Sequence, residues 1–222
     1  MKKTFVVFFT LIFLSTAIIP SSADNVVYRN ASASNMQIAL TFDDGPHPGR
    51  TPEILDILER HKIKATFFVV GQNVQYYPDV FKRTVDEGHE IGNHTHSHKV
   101  LKPFTDNTIE EIDSFNKAIN EIYKKDVNIL RPPEGKYDSN LSVFAKENDY
   151  KIVLWSIDTL DWTHRSPESI TNTVINEIKG GDIILMHDYI SGKSPTPEAL
   201  ETIIPMLLER GFEFVTVSEL LK

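Results

Sequence analysis

Two adjacent carboxylates, Asp43 and Asp44, follow an apolar run that begins at Gln37, and Gly45-Pro46 comes directly after them. The run predicts a strand buried on both faces, and Gly45-Pro46 predicts where it ends. Carboxylates at the end of a buried strand are costly unless a cation or a proton transfer makes use of their charge. If it were isolated, the pair would be interpreted as a polar turn that caps the next helix. Whether the two acids have a chemical role therefore depends on the other polar residues of the chain.

Two histidines could share a metal with one of these acids. His94 and His98 are four residues apart, which on a helical turn places both imidazoles on one face, with His96 pointing elsewhere. Together with Asp44 they would form a set of two histidines and one carboxylate, which is common in catalytic zinc sites. Non-haem iron oxygenases use the same set, and two histidines alone would equally fit a polar surface turn.

Asp43 is the candidate general base. Adjacent side chains of a strand point to opposite sides, so Asp43 can stay off a metal that Asp44 binds. Arg131, which is followed by the rigid pair Pro132-Pro133, would hold Asp43 ionised and oriented. The alternative for Arg131 is an ordinary surface ion pair.

His187 is the candidate general acid, because it ends the apolar run of residues 183–186. A pairing with Asp161 would raise the pKa of the imidazole, so that the ring could donate a proton. Trp162 and Leu185 would then form apolar walls beside it. Taken singly, His187, Trp162 and Leu185 would each fit an ordinary core position.

The elements that would position these residues alternate regularly. Short apolar runs and helical patterns alternate about seven times between residues 37 and 222, which predicts parallel strands with helices outside. The predicted elements include a first helix with Thr51 as its N-cap, a long helix from about residue 108 to residue 125, and one strand over residues 151–157. A barrel and an open doubly wound sheet both fit, but the chain lacks the glycine-rich loops of nucleotide-binding open sheets. The polar candidates come directly after strands, and in a barrel those positions meet on one rim. The predicted fold class is therefore an α/β barrel.

The first 23 residues have the pattern of a signal peptide, with two lysines, an apolar stretch and small residues before a cut after Ala23. The apolar stretch is too short and too interrupted for a confident membrane span, although an uncleaved anchor would also fit. Residues 24–36 then form a short leader, and residues 37–222 form one domain. Cysteine is absent, which excludes disulfides and thiolate catalysis.

The net charge of the 222-residue chain is −8, and it becomes −10 when Lys2 and Lys3 are removed with the signal peptide. Phosphate backbones need basic surface, so this charge argues against nucleic acid as a partner. It argues less strongly against anionic cell-wall polymers, because a local groove can differ from the whole surface. No protein partner is indicated.

The combination of residues resembles the NodB-homology polysaccharide deacetylases, carbohydrate esterase family 4, over residues 37–222. The motifs that carry the resemblance occur in the family's order: Thr41-Phe42-Asp43-Asp44-Gly45, His94-Thr95-His96-Ser97-His98, Arg131-Pro132-Pro133-Glu134-Gly135, Asp161-Trp162 and Leu185-Met186-His187. The resemblance implies a distorted (β/α)7–8 barrel and hydrolysis of N-acetyl groups with zinc, cobalt or another divalent metal. The implied roles are Asp44, His94 and His98 as metal ligands, Asp43 as base supported by Arg131, His187 as acid paired with Asp161, and Trp162 and Leu185 as walls around the acetyl methyl.

One position departs from the family pattern. Many members have an aromatic residue where this chain has Glu134, and that residue borders the substrate while its backbone N–H is implied to help hold the oxyanion. The chemistry is unaffected, but the preferred sugar is left open. Tyr137 is a hypothetical substitute for the missing aromatic ring.

The resemblance implies a secreted, metal-dependent N-deacetylase that acts on peptidoglycan amino sugars (GlcNAc or MurNAc) at the cell wall and releases acetate. A chitooligosaccharide deacetylase is the nearest alternative. A non-catalytic wall-binding module and an iron oxygenase are alternatives from other functional classes.

Overall fold

The computed structural model of the protein describes residues 26–32 and 36–222, so the predicted signal peptide lies outside the described residues. The strands are β1 (Val27–Tyr28), β2 (Gln37–Asp43), β3 (Thr66–Val69), β4 (Glu90–Asn93), β5 (Ile129–Leu130), β6 (Lys151–Val153), β7 (Ile157–Asp158), β8 (Ile183–His187) and β9 (Glu213–Phe214). The α-helices are α1 (Arg50–His61), α2 (Gly71–Tyr76), α3 (Pro78–Asp86), α4 (Asp106–Ile119), α5 (Ser139–Glu147), α6 (Pro167–Glu177), α7 (Thr196–Glu209) and α8 (Val217–Leu220).

The strands form one sheet in the order β1-β6-β5-β4-β3-β2-β8-β7, with β9 paired to the start of β2. Every strand pair is parallel, and helices connect most successive strands on the outside. Strand β2 lies at the centre, between β3 and β8. The predicted α/β class with a distorted barrel is therefore confirmed.

Part of the predicted leader belongs to the sheet. Val26 O and Tyr28 O accept hydrogen bonds from the N–H groups of Ile152 and Leu154, both at 2.7 Å. A few residues further on, Ala31 N donates to Gly181 O just before β8. Residues 26–32 thus cross from β6 to the beginning of β8 and cover the side of the barrel where β6 and β7 are not paired. A strand of two residues is too short for a sequence pattern to reveal.

The sequence predicted one strand over residues 151–157, and the structure divides it into β6 and β7. The guanidinium of Arg131 donates hydrogen bonds to the carbonyls of Val153 and Leu154, at 3.1 and 3.0 Å. These two carbonyls are therefore occupied by a side chain rather than by a neighbouring strand. The backbone then turns, and Ser156 N donates to Ile183 O at 3.0 Å. Consequently β6 pairs with β5 and β1, whereas β7 pairs with β8.

Alternation along β2 separates two cores, because successive side chains of a strand point to opposite faces. Ile38, Leu40 and Phe42 pack in the larger cluster, which includes the apolar faces of α1 and α7. Ala39 lies in a smaller cluster with Phe68 and other residues of the barrel interior. Asp43 therefore continues the inward-facing row, which carries it to the interior at the end of the strand where the polar candidates gather.

The helices follow the predicted pattern with shifted ends. Helix α6 begins with Pro167 after Ser166, whose side chain accepts a hydrogen bond from Ser169 N at 3.2 Å, as its sequence predicts. The sequence did not predict the short helix α2, and α4 ends at Ile119 rather than near residue 125. Within the described residues, no helix has the length and apolar character needed to cross a membrane.

Candidate active site

Asp43 and Arg131 form a buried ion pair in the barrel interior. Arg131 Nη1 lies 2.7 Å from Asp43 Oδ1 and also donates to Thr41 Oγ1 at 2.8 Å. Arg131 is fully buried, and its guanidinium lies over the ring of Phe68, 4.1 Å from the centroid. Since Nε and Nη2 bind backbone carbonyls, the guanidinium is held on several sides and fixes the direction of Asp43 Oδ1.

Asp44, His94 and His98 bring their ligand atoms together. One ligand atom from each residue lies within 4.8 Å of the other two. Asp44 Oδ1 is 3.2 Å from His94 Nε2 and 3.1 Å from His98 Nε2. Ligands about 2.0–2.1 Å from a tetrahedral zinc ion are about 3.3 Å from one another, so the spacing suits such an ion.

The hydrogen bonds of His94 also fit a metal ligand. His94 Nδ1 lies 2.7 Å from the carbonyl oxygen of Arg131, and because a carbonyl only accepts, Nδ1 must carry the proton. With a proton held on Nδ1, Nε2 is the ring nitrogen that can bind a metal in the site. Asp44 Oδ1 is buried and has no hydrogen-bond partner within the described part of the chain. Two acceptor atoms that face each other are stabilised by a cation between them.

Asp44 is prepared to be charged. Burial opposes its ionisation, but without a metal the ring N–H groups of His94 and His98 can donate to the carboxylate, and this outweighs the cost of burial and holds the pKa of Asp44 well below its usual range. A carboxylate must be deprotonated to bind a metal. The donor set therefore fits a divalent cation in both geometry and charge.

Two details of the predicted geometry were wrong. His94 and His98 do not lie on a helical turn but in a loop, where Thr95 and His98 have φ values of 66° and 59°. Asp43 and Asp44 do not point to opposite sides either, since Asp43 Oδ2 lies 3.7 Å from the same His94 Nε2 that is close to Asp44. Asp44 has a φ of 77°, outside the range of a strand, so the alternation of side chains ends at Asp43. His96 does lie apart, close to Gly71.

His187 and Asp161 form the predicted pair. His187 Nδ1 is 2.7 Å from Asp161 Oδ1, and His187 N donates to Asp161 Oδ2 at 2.8 Å. Trp162 N and Thr196 Oγ1 also donate to this carboxylate, at 2.9 and 2.6 Å. Burial disfavours the charged imidazole, but the hydrogen bond and charge of Asp161 outweigh it and raise the pKa of His187 to about 9.

Residues Asp43 and His187 are direct partners in the pairing of β2 with β8, and Thr41 is the partner of Leu185. Leu185 is buried and lies two residues before His187, so both side chains leave the strand on the same face. Trp162 follows in a short 3₁₀ turn and has 53% of its surface exposed. Leu185 therefore faces the barrel interior beside the site, and Trp162 lies at the solvent-exposed rim of the site.

The remaining two predicted residues lie in the loop after Arg131. Glu134 is exposed, has a φ of 59° and forms an ion pair with Lys136. Tyr137 is half-buried and packs against the apolar cluster that contains Leu101 and Leu141. This packing gives Tyr137 a structural role, and its predicted substitution for an aromatic substrate contact stays a prediction.

Asp188 is a site residue that the sequence did not reveal. Its Oδ1 accepts from Gly45 N at 2.9 Å, and its Oδ2 accepts from Thr51 Oγ1 at 2.6 Å. Burial raises the pKa of Asp188 to about 7. Thr51 was predicted as the cap of α1, but its hydroxyl donates a hydrogen bond to Asp188 instead. Helix α1 begins at Arg50 after Gly49, without a side-chain cap. Only the pairing of β2 with β8 brings these residues together, so no local pattern could identify them.

Comparisons with known proteins agree with this site. A family profile described as polysaccharide deacetylase matches residues 30–153. A peptidoglycan-N-acetylglucosamine deacetylase of Bacillus cereus is 44% identical over 187 residues, which are 83% of this chain and 88% of that protein. A chitooligosaccharide deacetylase of a Bradyrhizobium species is 33% identical over 92% of this chain and 99% of that protein.

Solved structures show the same fold. A crystal structure of a peptidoglycan N-acetylglucosamine deacetylase has a TM-score of 0.86 and 36% identity, covering 89% of this chain and 93% of that one. A family 4 acetyl xylan esterase from Clostridium thermocellum, in complex with a cobalt ion, has a TM-score of 0.76 and 37% identity, covering 83% and 89%. The chain belongs to the polysaccharide deacetylase family, carbohydrate esterase family 4, as its five motifs indicated. It is therefore a metal-dependent hydrolase of the deacetylase class.

Proposed function

We propose that this protein removes N-acetyl groups from the amino sugars of peptidoglycan and releases acetate at the cell wall. The observation that carries the proposal is the convergence of three groups on one rim. A carboxylate held by Arg131, a ligand set around Asp44 and an imidazole paired with Asp161 meet where β2 and β8 end. Amide hydrolysis needs a base, an electrophile and an acid at one place, and these groups supply all three.

The proposed metal is zinc, held by Asp44, His94 and His98. Nitrogen and oxygen ligands at this spacing suit zinc, and a cobalt ion is present in the related esterase structure. When bound, such a cation supplies Lewis-acid chemistry by lowering the pKa of water and polarising a carbonyl oxygen. The hydrogen bond from His94 Nδ1 to Arg131 O keeps one ligand nitrogen free for this purpose.

Asp43 is the proposed base. Its Oδ1 is occupied by Arg131, so Oδ2 is the oxygen that can take a proton from the attacking water. Oδ2 lies 3.7 Å from His94 Nε2, which places it beside the ligand set without being part of it. The buried guanidinium of Arg131 holds the carboxylate of Asp43 in place during the reaction.

His187 is the proposed acid. Its Nδ1 faces Asp161, so Nε2 is the atom that can give a proton to the leaving amine of the sugar. In the metal-free protein the raised pKa of His187, about 9, favours the protonated ring at neutral pH, as an acid requires. Leu185 and Trp162 border the same rim and would enclose the acetyl methyl group, while the N–H of Glu134 would help to hold the developing oxyanion.

Peptidoglycan is favoured over chitooligosaccharides by the higher identity of the peptidoglycan deacetylase relative, 44% against 33%. The signal peptide predicted for residues 1–23 supports export, after which the enzyme would meet the wall. The sugar, GlcNAc or MurNAc, is a matter for direct measurement, because Glu134 replaces the usual aromatic neighbour of the substrate.

The decisive experiment incubates the zinc-loaded chain of residues 24–222 with peptidoglycan digests and, separately, with chitooligosaccharides. Mass spectrometry locates the deacetylated sugar, and an acetate assay gives the rate. We expect acetate release from peptidoglycan, loss of release with a chelator and recovery with zinc. Asp43→Asn should keep the metal and lose turnover. A wild-type protein that binds zinc but releases no acetate from either glycan would exclude the proposed function.

A further inference from the structure

Exposed aromatic side chains are concentrated on the rim that carries the site. Among the described residues they are Tyr76, Trp162 and Tyr189, with 67%, 53% and 42% of their surface exposed. Trp162 follows β7 and Tyr189 follows β8, while Tyr76 ends α2, the helix that begins directly after β3. All three therefore belong to connections that leave the carboxyl ends of the strands, where the ligand set lies.

Four rings on this rim form one row, which we call the aromatic row: His47, Tyr76, Tyr77 and Tyr189. The rings of His47 and Tyr189 stack with centroids 5.1 Å apart and an interplanar angle of 14°. Tyr77 lies 6.4 Å from His47, and Tyr76 lies 6.3 Å from Tyr77. The row starts close to the chemistry, since His47 is three residues after Asp44 and Tyr189 is two residues after His187.

Buried hydrogen bonds fix the inner end of the row. His47 N donates to Thr51 Oγ1 at 2.8 Å, and Thr51 Oγ1 donates to the buried carboxylate of Asp188 at 2.6 Å. His47 Nδ1 accepts from Gly49 N and Arg50 N, both at 3.1 Å, which sets the orientation of the ring. A surface that is held open and rigid in this way is prepared to bind, because little freedom is lost on contact.

We propose that the aromatic row is a subsite for pyranose rings of the glycan that adjoin the sugar undergoing deacetylation. The proposal rests on the deacetylase function above. The C–H faces of a pyranose ring stack on flat aromatic rings, while its hydroxyls stay in water, which suits half-exposed tyrosines. A polymeric substrate extends beyond its reacting acetyl group, and the row offers it an aromatic surface on the same rim as Asp44 and His187.

Such a subsite has a kinetic consequence. A monosaccharide does not reach the row, so the row contributes nothing to its kcat/KM. For a chain long enough to reach the row, binding of the remote sugars raises kcat/KM. The activity of the protein should therefore increase with glycan length, and the increase should depend on the exposed ring of Tyr189. A row that served a protein partner instead would leave the dependence on glycan length unchanged when Tyr189 is truncated.

The test compares Tyr189→Ala with two controls, Tyr189→Phe, which keeps the ring, and Val143→Ala, which truncates an exposed apolar side chain of α5. The measured quantity is the ratio of two kcat/KM values, one for a hexasaccharide of the glycan from which the wild type releases acetate and one for the N-acetylated monosaccharide of the same glycan. We expect this ratio to fall about tenfold in Tyr189→Ala and to stay close to the wild-type value in both controls.

A binding measurement separates the subsite from turnover. The same three substitutions are placed in the zinc-loaded Asp43→Asn protein, and the hexasaccharide is titrated by calorimetry. Tyr189→Ala should weaken binding about tenfold. An unchanged ratio together with unchanged affinity in Tyr189→Ala would overturn the subsite while leaving the deacetylase function intact. Absence of acetate release in the wild type would instead overturn the function, and the titration would still decide the subsite.

Discussion

The carboxylate of Asp188 holds the backbone N–H of Gly45, with Oδ1 2.9 Å from the nitrogen. On the other side of the same peptide, Asn73 Nδ2 donates to the carbonyl of Asp44 at 2.7 Å. The peptide after Asp44, the proposed metal ligand, is thus held at both ends. Asp44 has a φ of 77°, a conformation that costs free energy for a residue with a side chain, so these two hydrogen bonds keep its carboxylate directed at His94.

Removing this support should weaken metal binding without removing a ligand. In Asp188→Ala we expect zinc affinity to fall about 10–100-fold, the usual effect of losing a group that orients a ligand. Asp188→Asn is the matched control, because its amide oxygen can still accept from Gly45 N, and it should retain most of the affinity. Competition with a chromophoric chelator measures the dissociation constants. A folded Asp188→Ala protein with wild-type affinity would contradict this role.

A methyl group at Gly45 should disturb the same turn. A Cβ built there would lie 2.0 Å from Asp188 Oδ2, much closer than atoms can approach. Gly45→Ala should therefore reduce both zinc affinity and the free energy of unfolding, the latter by about 1–3 kcal/mol. Gly49→Ala is the control, since its Cβ would meet nothing closer than 3.5 Å. Equal losses in the two variants, measured by denaturant unfolding, would rule out the clash with Asp188.

Arg131 and Asp43 should depend on each other for stability. Replacing Arg131 by Met leaves the carboxylate of Asp43 buried without its cation, which should cost about 3–5 kcal/mol of unfolding free energy. In the double variant Arg131→Met with Asp43→Asn no charge is left unpaired, so the loss should be smaller than in Arg131→Met alone. The double-mutant cycle is completed by denaturant unfolding of the metal-free wild type, the two single variants Arg131→Met and Asp43→Asn, and the double variant. Additive losses would show that the pair is not coupled.

The sequence was sufficient to predict the barrel and the chemical groups because both follow local patterns. Apolar runs that alternate with helices predict parallel strands, and polar residues after those strands predict a shared rim. Asp43, Asp44, His94 and His187 were predicted in this way to share one rim, and the structure places them close together. Their roles in the reaction stay predictions.

Details that depend on distant contacts were not predictable. The turn of Asp44 into positive φ depends on Asn73 and on Asp188, which is 143 residues from Gly45 in the chain. Similarly, β6 and β7 are separate strands because the guanidinium of Arg131, which follows β5, donates hydrogen bonds to the carbonyls of Val153 and Leu154. A periodic pattern describes the neighbours of a residue along the chain, whereas these features are determined by neighbours in space.

The pairing of His187 with Asp161 should make part of the stability depend on pH. In the folded metal-free protein the pKa of His187 is about 9, above the ordinary value of 6.5 expected in the unfolded chain. A raised pKa stabilises the fold below pH 6.5, and this contribution is lost as the pH rises through 9. The full contribution is at most about 3 kcal/mol.

Comparison with His187→Gln isolates this contribution, because titrating groups that do not interact with His187 cancel in the difference. The unfolding free energy of the wild type minus that of His187→Gln should decrease between pH 6.5 and 9. His89 provides a control of opposite sign, since burial, with Lys64 and Arg83 nearby, lowers its pKa to about 4. The wild type minus His89→Gln should therefore stay constant above pH 6.5 and decrease as the pH falls towards 4. A difference for His187→Gln that does not change up to pH 9 would mean that Asp161 orients the ring without raising its pKa.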